Sequence, residues 1–361
     1  MFGYLIFALL MVSGLLSIRG LKINNKNLAM VIFAFIAMTL FCGSIDAKDF
    51  GTDVSAYFQH AEKALNLTLG EYLDRNPFEI GFAFSLWVVV NFFSSAQAFM
   101  FFAHALISFS ICYFIYKNSK DVFVSIVFYL FVGGFTLYFT AIRQGIAFAI
   151  CLFAVEAVKN KKRLLGVLFV VLGSLFHKTS IVYLPVILLY NFKVSNKNTF
   201  IVFVIAIFIS LFLDRIIDIS NKLFEMEYSE FSGGLLGPIV NLVIYVISLV
   251  LLHMGRGNIH NYDELIHNYN GRYVQKLSTF NIVFYMGLVA VIIYSFMFFA
   301  TALQRVAYYF IPVLSVLIAE GVAGLKLQKE RNLFYVIYII FGILLFVYRV
   351  RLWTPYNIVY I

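Results

Sequence analysis

Long apolar stretches run almost end to end along this chain, broken by short polar connectors. A helix that spans a bilayer needs roughly 20 mostly apolar residues. Backbone polar groups inside hydrocarbon must be satisfied within their own segment, so such stretches read as helices. The pattern predicts spans at 2–18, 28–45, 97–116, 122–139, 143–158, 164–177, 179–190, 199–214, 235–252, 278–296, 305–324 and 333–350. The stretch 79–94, with Trp87 inside it, is also apolar and reads as a re-entrant or interfacial helix or as another crossing. After the second span the period changes. Val54, Tyr57, Phe58, Ala61 and Leu65 recur at helical spacing, with Gln59, His60, Glu62 and Lys63 on the other side, which describes an amphipathic helix at the membrane surface. The fold class that follows is an all-α polytopic integral membrane protein, with about 12 transmembrane helices and an outer-face amphipathic or re-entrant segment. No internal repeat or soluble domain interrupts it, so residues 1–361 read as a single transmembrane domain.

Composition removes the soluble alternative. Hydrophobic residues make up 62% of the 361 and charged residues only 12%, against about 25% charged in ordinary soluble domains. A soluble fold of this size cannot hide that much apolar surface, so lipid must cover the remainder. The first apolar run lacks a basic flank before it and a small-residue cleavage site after it, and reads as a retained helix. Cys42, Cys112 and Cys151 lie in or beside apolar segments, with no disulfide framework and no metal spacing.

The net charge of +9 would suit a nucleic-acid binder, but its distribution does not. Most Lys and Arg residues sit in the short linkers 19–27, 117–121, 159–163, 191–198 and 325–332 and in the loop 253–276. The positive-inside rule puts these in the cytoplasm. The alternation works only if 79–94 does not cross or crosses twice, and it leaves both termini outside. Segments 46–79 and 214–234 carry more acidic than basic residues and read as the outer loops.

Charges at helix ends in a membrane protein are expensive and are functional candidates. The topology puts four on the outer side: Asp53 in the first outer loop, Arg143 and Arg305 opening spans, and His177 closing one. Each has a plain alternative. Asp53 would serve as the N-cap of the amphipathic helix. The arginines would snorkel to headgroups, although the positive-inside bias makes an outer arginine less ordinary. His177 would be a packed interfacial histidine. Together they suggest an anion clamp of two planar guanidinium forks beside a group able to take a proton from a hydroxyl. Glu156 and Glu320, near cytoplasmic helix ends, read as structural. There is no P-loop, no His-Glu-x-x-His and no nucleotide-binding glycine motif. The energy for an outer-face reaction would then lie in a lipid-linked phosphate ester.

Five short motifs carry a resemblance. They are Gly51-Thr-Asp53 with Tyr57, Asn76-Pro-Phe-Glu-Ile-Gly-Phe82, Ile142-Arg-Gln-Gly-Ile-Ala147, Phe176-His177-Lys-Thr-Ser180 with Leu184-Pro185, and Arg305 with Tyr308-Tyr309. Over most of its length the chain resembles the EpsG family of polysaccharide polymerases, relatives of the Wzy-type O-antigen polymerases. The resemblance implies a GT-C-like glycosyltransferase of the bacterial inner (cytoplasmic) membrane with its active face periplasmic or extracellular. Such an enzyme joins oligosaccharide repeat units carried on undecaprenyl pyrophosphate, in O-antigen or exopolysaccharide biosynthesis. Carried over to this chain, Arg143 and Arg305 would bind the pyrophosphate, and Asp53 or His177 would activate the acceptor hydroxyl. Glu79, Gln144, Tyr57, Tyr308 and Tyr309 would support the site or touch substrate. The implied partners are the lipid-linked glycan, the bilayer, a chain-length-regulating co-polymerase and a flippase, with no nucleic acid. No cofactor is implied, but the paired-acid motif of GT-C enzymes is missing from the first outer loop, which leaves the base and a divalent metal open.

Two other activities compete. A flippase or transporter for lipid-linked oligosaccharides would more often show mid-membrane charges and repeat symmetry between halves. A membrane acyltransferase that decorates glycans through His177 would not need two outer arginines.

Overall fold

In a computed structural model the described residues are 2–48, 52–131, 135, 140–189, 195–211, 239–240, 242–252, 272–296 and 306–350. Their regular elements are helices, and no strand occurs among them. The helices are α1 (Phe2–Gly20), α2 (Lys26–Gly43), α3 (Thr52–Ala64), α4 (Leu69–Arg75), α5 (Ile80–Phe93), α6 (Ala96–Asn118) and α7 (Val122–Phe131). They continue with α8 (Ile142–Lys159), α9 (Arg163–Ser174), α10 (Leu184–Leu189) and α11 (Asn196–Leu211). The last are α12 (Leu242–Leu252), α13 (Arg272–Phe296), α14 (Ile311–Ala323) and α15 (Gln328–Val350). Among them α1, α2, α6 and α15 are long and apolar enough to cross a membrane by length and composition. Helices α5, α7, α9, α12 and the apolar parts of α13 and α14 are shorter. The anticipated loop 214–234 and residues 253–271 of the anticipated loop 253–276 lie outside the described residues, and the last five residues of the latter belong to α13 instead of a loop.

Most expected spans begin and end within a few residues of an observed helix. The exception is 179–190, which is a 3₁₀ helix at Lys178–Tyr183 followed by the short α10. Thr179, Ser180, Ile181 and Val182 are poor helix formers. Pro185 then fixes φ and offers no N–H, so it suits the first turn of a new helix better than the middle of a long one.

The orientation of the helices follows from side-chain contacts at their ends. Arg19 at the end of α1 makes a two-pronged bond to Asp121, at 3.3 and 3.1 Å. Lys120 pairs with Glu320 of α14 at 3.1 Å. Lys159 of α8 donates to Asn118 of α6 at 2.7 Å and pairs with Glu156 at 3.0 Å. Three of the basic linkers (19–27, 117–121 and 159–163) therefore meet at one end of the bundle, beside the end of α14 that carries Glu320, and the two glutamates read as structural make ion pairs there. Because the C-termini of α6 and α8 meet, these helices run parallel, and their N-termini share the other end.

That geometry decides the path of 79–94. Glu79, just before α5, pairs with Arg143 at the N-terminus of α8. At its far end α5 turns through Ser94, in the left-handed region at φ 51°, straight into α6. There Gln97 donates to the carbonyls of Gly43, the last residue of α2, and of Ile45 just beyond it, at 2.6 and 3.0 Å. Both ends of α5 lie at the same end of the bundle, so it does not cross. It is sewn to the polar segment before it by Trp87 Nε1 on the Leu67 carbonyl (2.9 Å) and Asn91 Nδ2 on the Ala64 carbonyl (3.1 Å).

The amphipathic helix is α3. Val54, Tyr57, Ala61 and Ala64 are buried against α5 and α6, while Asp53, Gln59, Glu62 and Lys63 are exposed. Leu65, expected on the apolar face, lies just past the helix end and is 38% exposed. Its place is taken by Ala64. After α3, the short α4 is held by a capping box in which Thr68 and Glu71 satisfy each other's backbone donors.

Candidate functional site

Three backbone segments converge at the end of the bundle opposite the basic linkers. The first is Asn76-Pro-Phe-Glu, between α4 and α5. Asn76 Oδ1 accepts from the Phe78 amide (3.1 Å), and its Nδ2 donates to the Phe78 carbonyl (3.0 Å). The side chain thereby substitutes for a backbone turn and fixes Phe78 and Glu79 at the mouth of α5. The second is the first turn of α8, which carries Arg143. The third is the stretch after α9, where the Gly173 carbonyl accepts from the amides of Phe176 and His177, both at 3.0 Å. His177 is extended (φ −159°) and opens the 3₁₀ helix.

Gly81 locks the first segment to the third. Its amide donates to the Leu175 carbonyl at 2.8 Å, and a Cβ there would lie 2.7 Å from that same oxygen. On the other side Tyr309 braces the 3₁₀ helix. Its hydroxyl meets Thr179 Oγ1 at 3.0 Å, and its carbonyl accepts from the Tyr183 hydroxyl at 2.8 Å.

Glu79 sits at the centre. Its Oε2 accepts from Arg143 Nη1 at 2.8 Å and its Oε1 faces His177 Nδ1 at 3.1 Å. The Lys178 amide reaches the same Oε1 at 3.4 Å. The Glu79 side chain is only 8% exposed, His177 18% and Arg143 27%, so the carboxylate is buried beneath its two partners. Burial by itself would raise the Glu79 carboxyl, but the His177 hydrogen bond and the Arg143 charge outweigh it and hold the group down at about 2. Arg143 is held further by its Nε on the Tyr57 hydroxyl (3.2 Å) and by the Phe78 ring, 4.8 Å beneath its guanidinium. Burial pushes the Tyr57 phenol up, and Arg143 opposes the shift. A cation in the first turn of a helix faces the positive end of the macrodipole, and Glu79 offsets that.

Of the residues expected in the site, Tyr57, Glu79, Arg143 and His177 are brought together. Asp53 is not. It is exposed in the first turn of α3, one turn before Tyr57, and makes no hydrogen bond or ion pair among the described residues. The helix already begins at Thr52, which leaves Asp53 past the N-cap position expected for it. Gln144 is buried in α8, Tyr308 is half-buried at the start of a 3₁₀ turn, and Tyr309 is fully buried, where it supports His177's segment from behind. Arg305 lies outside the described residues. Sequence reasoning missed Asn76, Phe78, Thr179 and Tyr183 as parts of the site, and it gave Glu79 only a supporting place. The signal for Glu79 was present: a lone carboxylate directly before an apolar helix, behind an Asn-Pro turn.

The arrangement has two chemical openings. His177 Nε2 and Arg143 Nη2 carry no hydrogen bond among the described residues. One is a proton acceptor in the appropriate tautomer, and the other offers two N–H donors to an anion. A protein-family model described as the EpsG family matches residues 29–358. No curated protein and no solved structure gives a significant match.

Proposed function

The chain belongs to the EpsG family, and from that premise we propose that it is a polysaccharide polymerase that joins lipid-linked oligosaccharide repeat units. The single observation that carries the reading is the buried Glu79 with Arg143 on one oxygen and His177 on the other. That grouping puts an anion-binding fork beside a potential base at one end of the bundle, as transfer from a pyrophosphate carrier requires. The substrate is a glycan on undecaprenyl pyrophosphate, and the site faces the outer leaflet, opposite the basic linkers.

In the reaction, a sugar hydroxyl of the acceptor unit attacks the anomeric carbon of the donor glycan. The new glycosidic C–O bond forms as the anomeric C–O bond to pyrophosphate breaks. The hydroxyl proton goes to His177 Nε2, and the bonding electron pair leaves with undecaprenyl pyrophosphate. Arg143 Nη2 binds the pyrophosphate oxygens and stabilises the charge that develops on them, with Arg305 as its partner in the clamp. Of the two candidate bases, His177 is favoured over Asp53 because it is oriented by Glu79 and adjoins Arg143.

The test is the lipid-linked glycan profile of a strain lacking this chain. Accumulation of single repeat units in the outer leaflet supports a polymerase. Their absence from the outer leaflet, with accumulation inside, indicates a flippase and overturns the reading. Normal polymer lacking acyl decoration indicates an acyltransferase and overturns it as well.

A further inference from the structure

We propose that Glu79 is a positioning residue that sets the tautomer of His177: its carboxylate accepts the hydrogen bond of Nδ1–H, holds the proton on that nitrogen and leaves the Nε2 lone pair as the base. This rests on the polymerase reading only for what the base then does. An ionised carboxylate is an acceptor and nothing else, so the 3.1 Å contact to Nδ1 requires that nitrogen to carry the proton. A neutral imidazole has one N–H, and Nε2 is then bare. Arg143 takes part from the other side. By donating to Oε2 at 2.8 Å it turns the carboxylate so that Oε1 meets the imidazole. The Lys178 amide, one residue beyond the histidine, donates to the same Oε1 and ties the ring's own backbone to the carboxylate.

The isosteric amide should reverse this. A guanidinium has donors only. In Glu79→Gln the amide oxygen must therefore stay on the Arg143 side, where the bond is shortest and charge-assisted. The NH₂ group then faces His177 Nδ1, which can meet it only as an acceptor. The imidazole proton moves to Nε2, and the base is lost with almost no change of shape. The Lys178 amide also loses its acceptor, but that bond is the longest of the three.

The test is the nitrogen spectrum of isotope-labelled histidines in the full-length detergent-solubilised protein near neutral pH, with His177 assigned by comparison with His177→Gln. The wild type is expected to show Nδ1 protonated and Nε2 bare, and Glu79→Gln the reverse, with polymerisation lower by roughly 10²-fold or more at unchanged protein abundance. A purely structural Glu79 would not switch the tautomer. A wild-type His177 protonated on Nε2 overturns the proposal even if the variant fails to fold. So does a folded Glu79→Gln that keeps the proton on Nδ1, or one that switches tautomer yet polymerises at the wild-type rate. The polymerase reading fails separately, if wild-type membranes do not lengthen a lipid-linked repeat unit, because the spectrum does not depend on turnover.

Discussion

His177 and Asp53 are both able to accept a proton, and only their surroundings separate them. His177 is oriented by a buried carboxylate, whereas Asp53 stands in solvent one turn before Tyr57. Asp53→Asn is therefore expected to polymerise within a few-fold of wild type, while His177→Gln loses roughly 10²-fold or more. Initial rates on lipid-linked repeats at matched protein levels decide between them, and a dead Asp53→Asn with an active His177→Gln would reverse the assignment. Arg143 offers a second residue-level test. Lysine keeps the charge but is a compact point charge, unable to hold Glu79 through Nη1 and Tyr57 through Nε while leaving Nη2 for the proposed pyrophosphate contact. Arg143→Lys should thus cut polymerisation sharply with abundance unchanged, and normal polymer length in that variant would point to headgroup snorkelling instead. The third test is thermodynamic. The Glu79 carboxyl is held at about 2, below its ordinary 4.5. A group depressed in the folded state contributes stability that is complete above its ordinary value and is lost as pH falls toward the folded one. The contribution of Glu79, read as the difference in detergent-phase melting between wild type and Glu79→Gln, should shrink as pH falls below about 4.5.

Helix α5 shows what an element does that its residues do not reveal singly. Its composition suits a crossing, yet a 14-residue helix is only about 21 Å long, and its entry and exit are both fixed at one end of the bundle. Its work is to hold Glu79 against the His177 segment through Gly81. In Gly81→Ala the methyl would lie 2.7 Å from the Leu175 carbonyl oxygen, a backbone atom that cannot swing aside. Overpacking of this kind costs typically about 1–3 kcal/mol, and the strain falls two residues from Glu79. Gly81→Ala is expected to lower activity more than it lowers thermal stability, as seen by comparing specific activity with melting temperature on one preparation. Equal, small losses in both would mean that the clasp is only packing. The 3₁₀ break at Lys178–Tyr183 belongs to the same scale. Apolar content suggested a plain span there, because a hydropathy pattern counts residues and does not register that Thr179 and Tyr183 are engaged by Tyr309.

Across the whole molecule the two ends of the bundle differ in chemistry: ion pairs of the basic linkers at one, the Glu79 grouping at the other. The positive-inside rule then makes accessibility predictable. In a background with Cys42, Cys112 and Cys151 replaced, His60→Cys should react with an impermeant thiol reagent in intact cells. Lys161→Cys and Lys329→Cys should react only after permeabilisation, and labelling of position 161 from outside would invert the proposed orientation. The amino-acid sequence by itself determined the membrane class, the helical content, most helix boundaries, the amphipathic face of α3 and the gathering of Arg143 and His177 at one end. These follow from local apolar runs, short-range periodicity and loop charge, which a linear chain displays directly. Tertiary structure decided that α5 does not cross, where loop charge had left no crossing or two, and it alone decided that Asp53 stands apart and that Glu79 lies between Arg143 and His177. Glu79 is 64 residues from Arg143 and 98 from His177 in sequence, and no local pattern encodes a contact over such separations. It forms because the parallel course of α6 and α8 and the close approach at Gly81 bring three distant segments to one place.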